Sequence, residues 1–243
     1  DDMISGFLDW LVNTANFWLF TFRDLTRAIA WVIEMPYQFL RNLLIEGFQT
    51  GLGDAAVQIA PSLSWIAVIA IVIGVGHTAR DWGLAALAGA CFLYLAVFGQ
   101  WDSAMVTLAS VLVAVPIGAV GGLLLGILAY RRPWVERLLR PVLDLMQTVP
   151  VFAYLVPILI LFGFGPVAAL VATVIYAMPP MIRVTIVALK GVPEELLEAA
   201  RMMGATPRQM TWKVLVPAAV PTLMVGVNQV IMLTLNMVII ASM

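Results

Sequence analysis

One cysteine, Cys91, and one histidine, His77, occur in 243 residues. A single cysteine excludes an intrachain disulfide, and a single histidine excludes HExxH-type zinc sites and most nucleophilic triads. No Gly-Lys pair occurs anywhere, so the chain has no GxxxxGK[ST] phosphate loop and no nucleotide site of that kind. Charge is scarce as well. Only 11% of residues are charged, against about 25% in an ordinary soluble domain, while 63% are apolar. So few charges cannot cover the surface of a water-soluble protein of this length. A net charge of −1 removes the basic excess that nucleic-acid binding requires. No nucleic-acid partner, cofactor, metal or catalytic residue is expected.

What the chain has is long apolar runs, at 61–78 and 83–98, which carry no charge, then at about 103–129, 141–163 and 164–188, and from about 217 to the end. At 1.5 Å per residue most of these match a hydrocarbon layer of about 30 Å, so six transmembrane helices are expected. Trp65, Trp82, Trp101, Trp134 and Trp212 stand at or just beyond the ends of the runs, where an indole buries its ring and keeps its N–H wet. The turns at 79–82, 130–140 and 183–216 carry Arg80, then Arg131, Arg132, Arg137 and Arg140, then Arg183, Lys190, Arg201, Arg208 and Lys213; the turns at 99–102 and 163–166 carry no Lys or Arg. The three basic loops are therefore placed in the cytoplasm and the first sixty residues outside.

Those sixty residues are apolar but interrupted by Asp9, Asn13, Asn16, Arg23, Arg27, Glu34, Gln38 and Arg41, which form a narrow stripe on a helix. A span would bring Arg23, Asp24 and Arg27 near mid-bilayer at roughly 2.5–3.5 kcal/mol each. An interfacial amphipathic region avoids that cost, with two helices, about 6–34 and 36–48, divided by Pro36. A tilted span with its polar stripe against the bundle stays open at this point. The chain opens on Asp1 and stops inside an apolar run, so a trimmed chain with an incomplete bundle is expected.

The longest later stretch outside the runs is 190–221. Pro193 suits a first helical position, Glu194 and Glu195 complement the positive end of the helix dipole, and Gly204 suits a left-handed residue past the end. Leu196, Ala200 and Met203 recur on one face, and Thr206-Pro207 reads as an N-cap and N1 pair. Taken alone, these features describe either a solvated amphipathic connector or a helix built to be gripped by a partner. Glu198-Ala199-Ala200, then Gly204, then Val214-Leu215-Val216-Pro217 carry the pattern EAA, three residues, Gly, nine residues, and an I-x-L-P-like close. That pattern resembles the ABC-importer permeases. Residues 143–165, 176–186 and 226–243 are similar to the quaternary-amine branch, which serves glycine betaine, proline betaine and choline transport.

The resemblance implies an all-α, multi-pass protein of a bacterial inner (plasma) membrane, with a type I ABC-importer permease bundle over 61–243 and a cytoplasmic coupling loop at 190–216. It implies a permease homodimer, cytoplasmic ABC ATPase subunits bound at that loop, and an extracytoplasmic substrate-binding protein. Glu194, Glu195, Glu198, Ala199, Ala200, Gly204, Pro207 and Pro217 would then serve ATPase coupling. The cargo would be a small quaternary or methylated amine such as glycine betaine, proline betaine, choline, carnitine or trimethylamine N-oxide. A permease for another solute such as an amino acid, or an ion-coupled secondary transporter, are the rival readings. Family members continue past 241–243 with a further span.

Other features are read from the residues alone. Gly118, Gly122 and Gly126 make overlapping GxxxG steps, taken as helix packing. Gln147, Thr148, Tyr154, Asn228, Gln229, Thr234 and Asn236 are the uncharged polar groups at membrane depth, candidates for the translocation path or for interhelical hydrogen bonds. Pro150, Pro157, Pro179, Pro180 and Pro221 mark hinges or kinks. Asp144 and Arg183 are expected to pair near the cytoplasmic ends of two spans. His77 and Cys91 are read as structural. With no phosphate loop, the purified chain is expected to hydrolyse no ATP by itself, and a phosphate-release assay showing turnover without an added subunit would overturn the permease reading.

Overall fold

The computed structural model describes residues 22–50, 57–78, 81–163 and 165–241. The stripe residues before Phe22, the side chains of Arg23, Asp24 and Arg27, Arg80, and residues 242–243 lie outside what is described. Helices carry the fold: α1 (Phe22–Arg41), α2 (Trp65–Thr78), α3 (Trp82–Val97), α4 (Trp101–Arg131), α5 (Pro133–Thr148), α6 (Phe152–Phe162), α7 (Pro166–Lys190), α8 (Glu194–Met202) and α9 (Pro207–Ile240). Three of them, α4, α7 and α9, are long and apolar enough to cross a membrane. Trp65, Trp82 and Trp101 are the first residues of their helices, as the interface rule requires.

The chain divides into two compact units, 34–112 and 113–243, the second also holding the chain up to Ile33. In the first, α2 and α3 pack as a helical hairpin. Ala85 lies so close to Gly76 that a Cβ there would stand 2.7 Å from the Ala85 Cα. Asp81 caps α3 by accepting the Leu84 N–H at 3.1 Å. With 14 and 16 residues, α2 and α3 rise only about 21–24 Å, short of a hydrocarbon layer of about 30 Å.

Two expectations for the outer region change. Pro36 neither ends nor divides α1, which runs from Phe22 to Arg41 and continues through a wide π turn, Asn42–Glu46. Gln38 Nε2 donates to Glu34 Oε1 at 2.7 Å, one turn apart on the uninterrupted helix. The segment beyond is not helical to its end. Phe48–Thr50 pairs antiparallel with Val57–Ala60, the two-stranded exception to helix among the described elements. Phe48, Thr50, Val57 and Ile59 alternate as strand residues do, with Gly51 and Gly53 between the strands.

The second unit is organised about α7. The apolar stretch of α7 is 61% buried, against 33% for those of α4 and α9, which makes α7 the central helix. Ile127 of α4, Ala177, Met181 and Leu189 of α7, and Leu215, Leu223 and Val230 of α9 form the main cluster. Ala129, Val135, Leu143, Ile182 and Ile186 form a second, between α4, α5 and α7. The GxxxG steps do the packing expected of them. A Cβ on Gly122 would stand 2.6 Å from the Met181 Cβ, and one on Gly126 2.5 Å from the Thr185 Cβ.

The expected span at 141–163 is broken. α5 and α6 meet at an angle of 106°. Pro150 is the cause: it disfavours the helical region for the residue before it, and Val149 is extended at φ −73, ψ 132. The prolines inside α6, α7 and α9 leave those helices continuous.

Gly126→Val should lower stability by about 1–3 kcal/mol, because the helix contact has no room for the branched side chain. Gly74→Ala, at a helical position with nothing within 4 Å, should leave stability unchanged or raise it by about 0.5–1 kcal/mol. Unfolding in detergent, followed by circular dichroism, separates the two; equal losses would refute the packing role.

Candidate functional site

The loop between α7 and α9 is built from its backbone outward. Pro193 (φ −55, ψ 137) precedes the first helical residue of α8 instead of occupying it. Glu194 and Glu195 fill the first turn, where the positive end of the helix dipole favours carboxylates. The far end is a Schellman turn. Gly204, at φ +76, donates its N–H to the Arg201 carbonyl at 2.9 Å, and the Ala205 N–H reaches the Ala200 carbonyl at 3.0 Å.

Thr206 and Gln209 then cap α9 reciprocally. The Gln209 N–H donates to Thr206 Oγ1 at 3.4 Å and the Thr206 N–H donates to Gln209 Oε1 at 2.9 Å. Pro207 is the first helical residue, as expected. Its carbonyl accepts from the Arg131 guanidinium at 2.7 Å and from the buried Thr211 hydroxyl at 3.1 Å. The loop is thereby fastened to the end of α4. Met210–Leu215 winds as a wide π turn in which the Val216 N–H reaches back five residues to Thr211. Exposed Pro217 has no N–H to give the Lys213 carbonyl, which accounts for the widening.

α8 presents two faces. Leu197 packs on the main cluster and Ala200 is 3% exposed. Glu194, Glu195, Leu196, Glu198, Met202 and Met203 are exposed and Ala199 is half-buried. The expected apolar face of Leu196, Ala200 and Met203 is therefore corrected: Leu197 and Ala200 turn inward, while Leu196 and Met203 turn out. Ala200 supports the helix from behind. None of the three glutamates makes a side-chain hydrogen bond or ion pair among the described residues.

The polar groups of the spans do not share one surface. Gln147 and Thr148 are exposed at the end of α5, where the Thr148 hydroxyl donates to the Leu145 carbonyl at 3.0 Å. Half-buried Tyr154 donates its hydroxyl to the Met146 carbonyl across the break between α5 and α6. Its ring stands edge-on to Tyr176 of α7, with centroids 5.7 Å apart. On α9, Asn228, Gln229 and Asn236 are exposed, whereas Thr234 is fully buried and its hydroxyl has no partner among the described residues. Two residues turn a helix through about 200°, so Thr234 and Asn236 lie on opposite sides.

The Asp144–Arg183 pair forms as expected, with the carboxylate 58% and the guanidinium 39% exposed. Such a solvated pair is worth about 0–1 kcal/mol, below the about 3–5 kcal/mol lost on breaking a buried one. Arg131 and Tyr176 were not singled out in the sequence. Arg131 counted there only as a loop charge, and its one legible signal was its position in the last turn of a span.

Residues 118–243 match the family model described as binding-protein-dependent transport system inner membrane component. The chain is 42% identical over 263 residues to the glycine betaine/proline betaine transport system permease protein ProW of Escherichia coli, covering 98% of this chain and 71% of that protein. It is 38% identical over 242 residues to the glycine betaine transport system permease protein OpuAB of Bacillus subtilis, covering 100% and 78%. It is 46% identical over 246 residues to the trimethylamine N-oxide transport system permease protein TmoV of Ruegeria pomeroyi, where it covers 99% of this chain but only 36% of the relative. The chain thus spans little more than a third of that protein's length.

At Gly204 the backbone angle alone restricts the residue, since a Cβ would meet nothing within 4 Å. Gly204→Val should therefore cost about 1–3 kcal/mol through strain, and Gly204→Asn, which tolerates the left-handed region, distinctly less. Detergent unfolding of both variants checks the order.

Proposed function

The chain belongs to the binding-protein-dependent transport system inner membrane components, and from that membership we propose that it is the permease subunit of an ATP-driven importer of small quaternary or methylated amines. It is a multi-pass inner-membrane protein. The observation that carries the reading is the outward face of α8. Three carboxylates without partners and two exposed methionines stand on a helix held by a Schellman turn, a capping box and the Arg131 link, in a chain with no phosphate loop. A cytoplasmic ABC ATPase subunit is the partner that this face suits. ATP hydrolysis belongs to that subunit. Glu194, Glu195, Glu198 and Ala199 would meet it, with Gly204, Pro207 and Pro217 setting the angle at which its movement enters α9.

An extracytoplasmic binding protein delivers the cargo on the opposite side. A second copy of the permease covers the face of α9 that carries Asn228 and Asn236, and α1 lies along the outer lipid interface. The exposed Trp31, Met35 and Phe39, one turn apart on α1, support that interfacial placement. Methylated amines are the cargo named for the relatives. An aromatic pair such as Tyr154 and Tyr176 attracts a quaternary ammonium without a carboxylate.

Glu198→Arg is expected to insert and melt like the parent while losing copurification with the ATPase and at least about tenfold in uptake, the factor that 1.4 kcal/mol represents. Ala200→Trp should fail earlier, in folding, because it overpacks a buried site. Proteoliposomes holding permease, ATPase and binding protein should accumulate glycine betaine and exclude glycine. Wild-type assembly by Glu198→Arg would move the contact elsewhere, and equal uptake of glycine would remove the amine assignment.

A further inference from the structure

The loop that carries α8 is fastened at both ends to one corner of the chain. α4 stops at Arg131 and α5 starts at Pro133, with Arg132 as the single joining residue, extended at φ −127, ψ 94. Arg131 holds the far end of the loop through the Pro207 carbonyl at 2.7 Å. Glu136, in the first turn of α5, holds the near end: its Oε1 accepts at 2.6 Å from the Nζ of Lys190, the last residue of α7. The Glu136 side chain is 18% exposed, and Arg140, at 3.6 Å and 74% exposed, is the looser of its two partners. A carboxylate serving only a surface pair along its own helix would need neither that burial nor a partner on another helix.

α5 is only partly packed on α7. Val135 and Leu143 share a cluster with Ile182 and Ile186, but an open groove of about 250 Å³ runs between Glu136 and Leu143 on one side and Ile186 and Lys190 on the other. The ion pairs bridge the two helices where side chains do not fill the space. Asp144, paired with Arg183, lies about two turns along α5 from Glu136. Beyond Thr148 the chain turns through 106° into α6, of whose residues Ile158 alone is buried. The Tyr154 hydroxyl spans that break by donating to the Met146 carbonyl. A displacement of α5 is therefore passed to a thinly packed α6.

We propose, resting on the reading that α8 meets an ATPase, that Glu136 is a positioning residue for transport: it makes α5, and with it the broken pair α5–α6, follow the root of the loop when α8 moves. α9 receives the same movement through the capped turn at Thr206. Two routes thus leave one helix, and a single carboxylate completes the route into α5. Without it α8 still docks and still moves α9, while α5 and α6 lag, so ATP is hydrolysed without full passage of cargo.

The test uses proteoliposomes holding the full permease, ATPase and binding protein, in which ATP hydrolysis and glycine betaine uptake are measured together. Glu136→Gln and Lys190→Gln should each keep copurification with the ATPase and cut uptake per ATP hydrolysed about fivefold, the lower end of a coupling between two sites. The double variant should lose no more than either single one, because both break one contact. Glu136→Lys combined with Lys190→Glu, which reverses the pair, should recover most of the ratio. Arg140→Gln, which leaves the Lys190 contact in place, should keep it. A role in folding alone would lower uptake and hydrolysis together and leave the ratio unchanged; that outcome would overturn the proposal, as would no recovery in the reversed pair. A wild type that neither copurifies with the ATPase nor takes up glycine betaine would instead overturn the permease reading, and this inference with it.

Discussion

Everything in the 113–243 unit hangs on how closely α4 approaches α7. Gly122 and Gly126 bring the α4 backbone against Met181 and Thr185 with no space for even a methyl group. Inside a bilayer, lipid tails compete equally for apolar side chains, so burial alone does not hold two helices together. Close van der Waals contact between backbones does. With α4 seated there, α7 presents its remaining sides to α5 and to α9, and both core clusters follow from that arrangement. The Gly226 position repeats the device on α9, where an added Cβ would meet the Met181 sulfur at 2.7 Å.

The same seating fixes helix α8. Arg131 ends α4, and its guanidinium reaches the Pro207 carbonyl only because α4 arrives beside the start of α9. The Schellman turn at Gly204 and the capping box of Thr206 and Gln209 remove the freedom of the intervening residues. Leu197 and Ala200 then pin α8 from behind. A push on the exposed glutamate face therefore has few soft joints in which to dissipate before it reaches α9. The π turn at Met210–Leu215 is the exception, and it is the place in this path where α-helical hydrogen bonding is interrupted.

Much of this was legible in the sequence because the signals were local or compositional. The glycine steps, the tryptophans at helix ends, the Thr206-Pro207 cap and the positive-φ role of Gly204 each follow from one residue's chemistry and its immediate neighbours. What the sequence concealed depends on direction. Periodicity placed Leu196, Ala200 and Met203 on a common face, but in so short a helix a small rotation decides which side packs, and contacts with α4, α7 and α9 set it. Hydropathy joined 141–163 into one run because it counts apolar residues without asking whether Pro150 lets the backbone continue. Asp144 and Arg183 were paired correctly from depth alone, yet depth says nothing of exposure, which decides the energy of the pair.

The polar residues of α9 carry the last constraint. Uncharged polar groups at membrane depth are favoured when they face protein or a water-filled path. Asn228, Gln229 and Asn236 are exposed on the described chain, while Thr234 is buried among its own neighbours with an unpaired hydroxyl. No rotation of α9 about its axis satisfies both sides at once, because Thr234 and Asn236 point in nearly opposite directions. Turning the asparagines inward would expel Val230 and Met237 from positions where they are fully buried. The helix therefore keeps its apolar face against α4 and α7 and leaves the amides outward, where lipid cannot pair them. Those outward amides are the polar groups of α9 that its packing against α4 and α7 leaves unsatisfied.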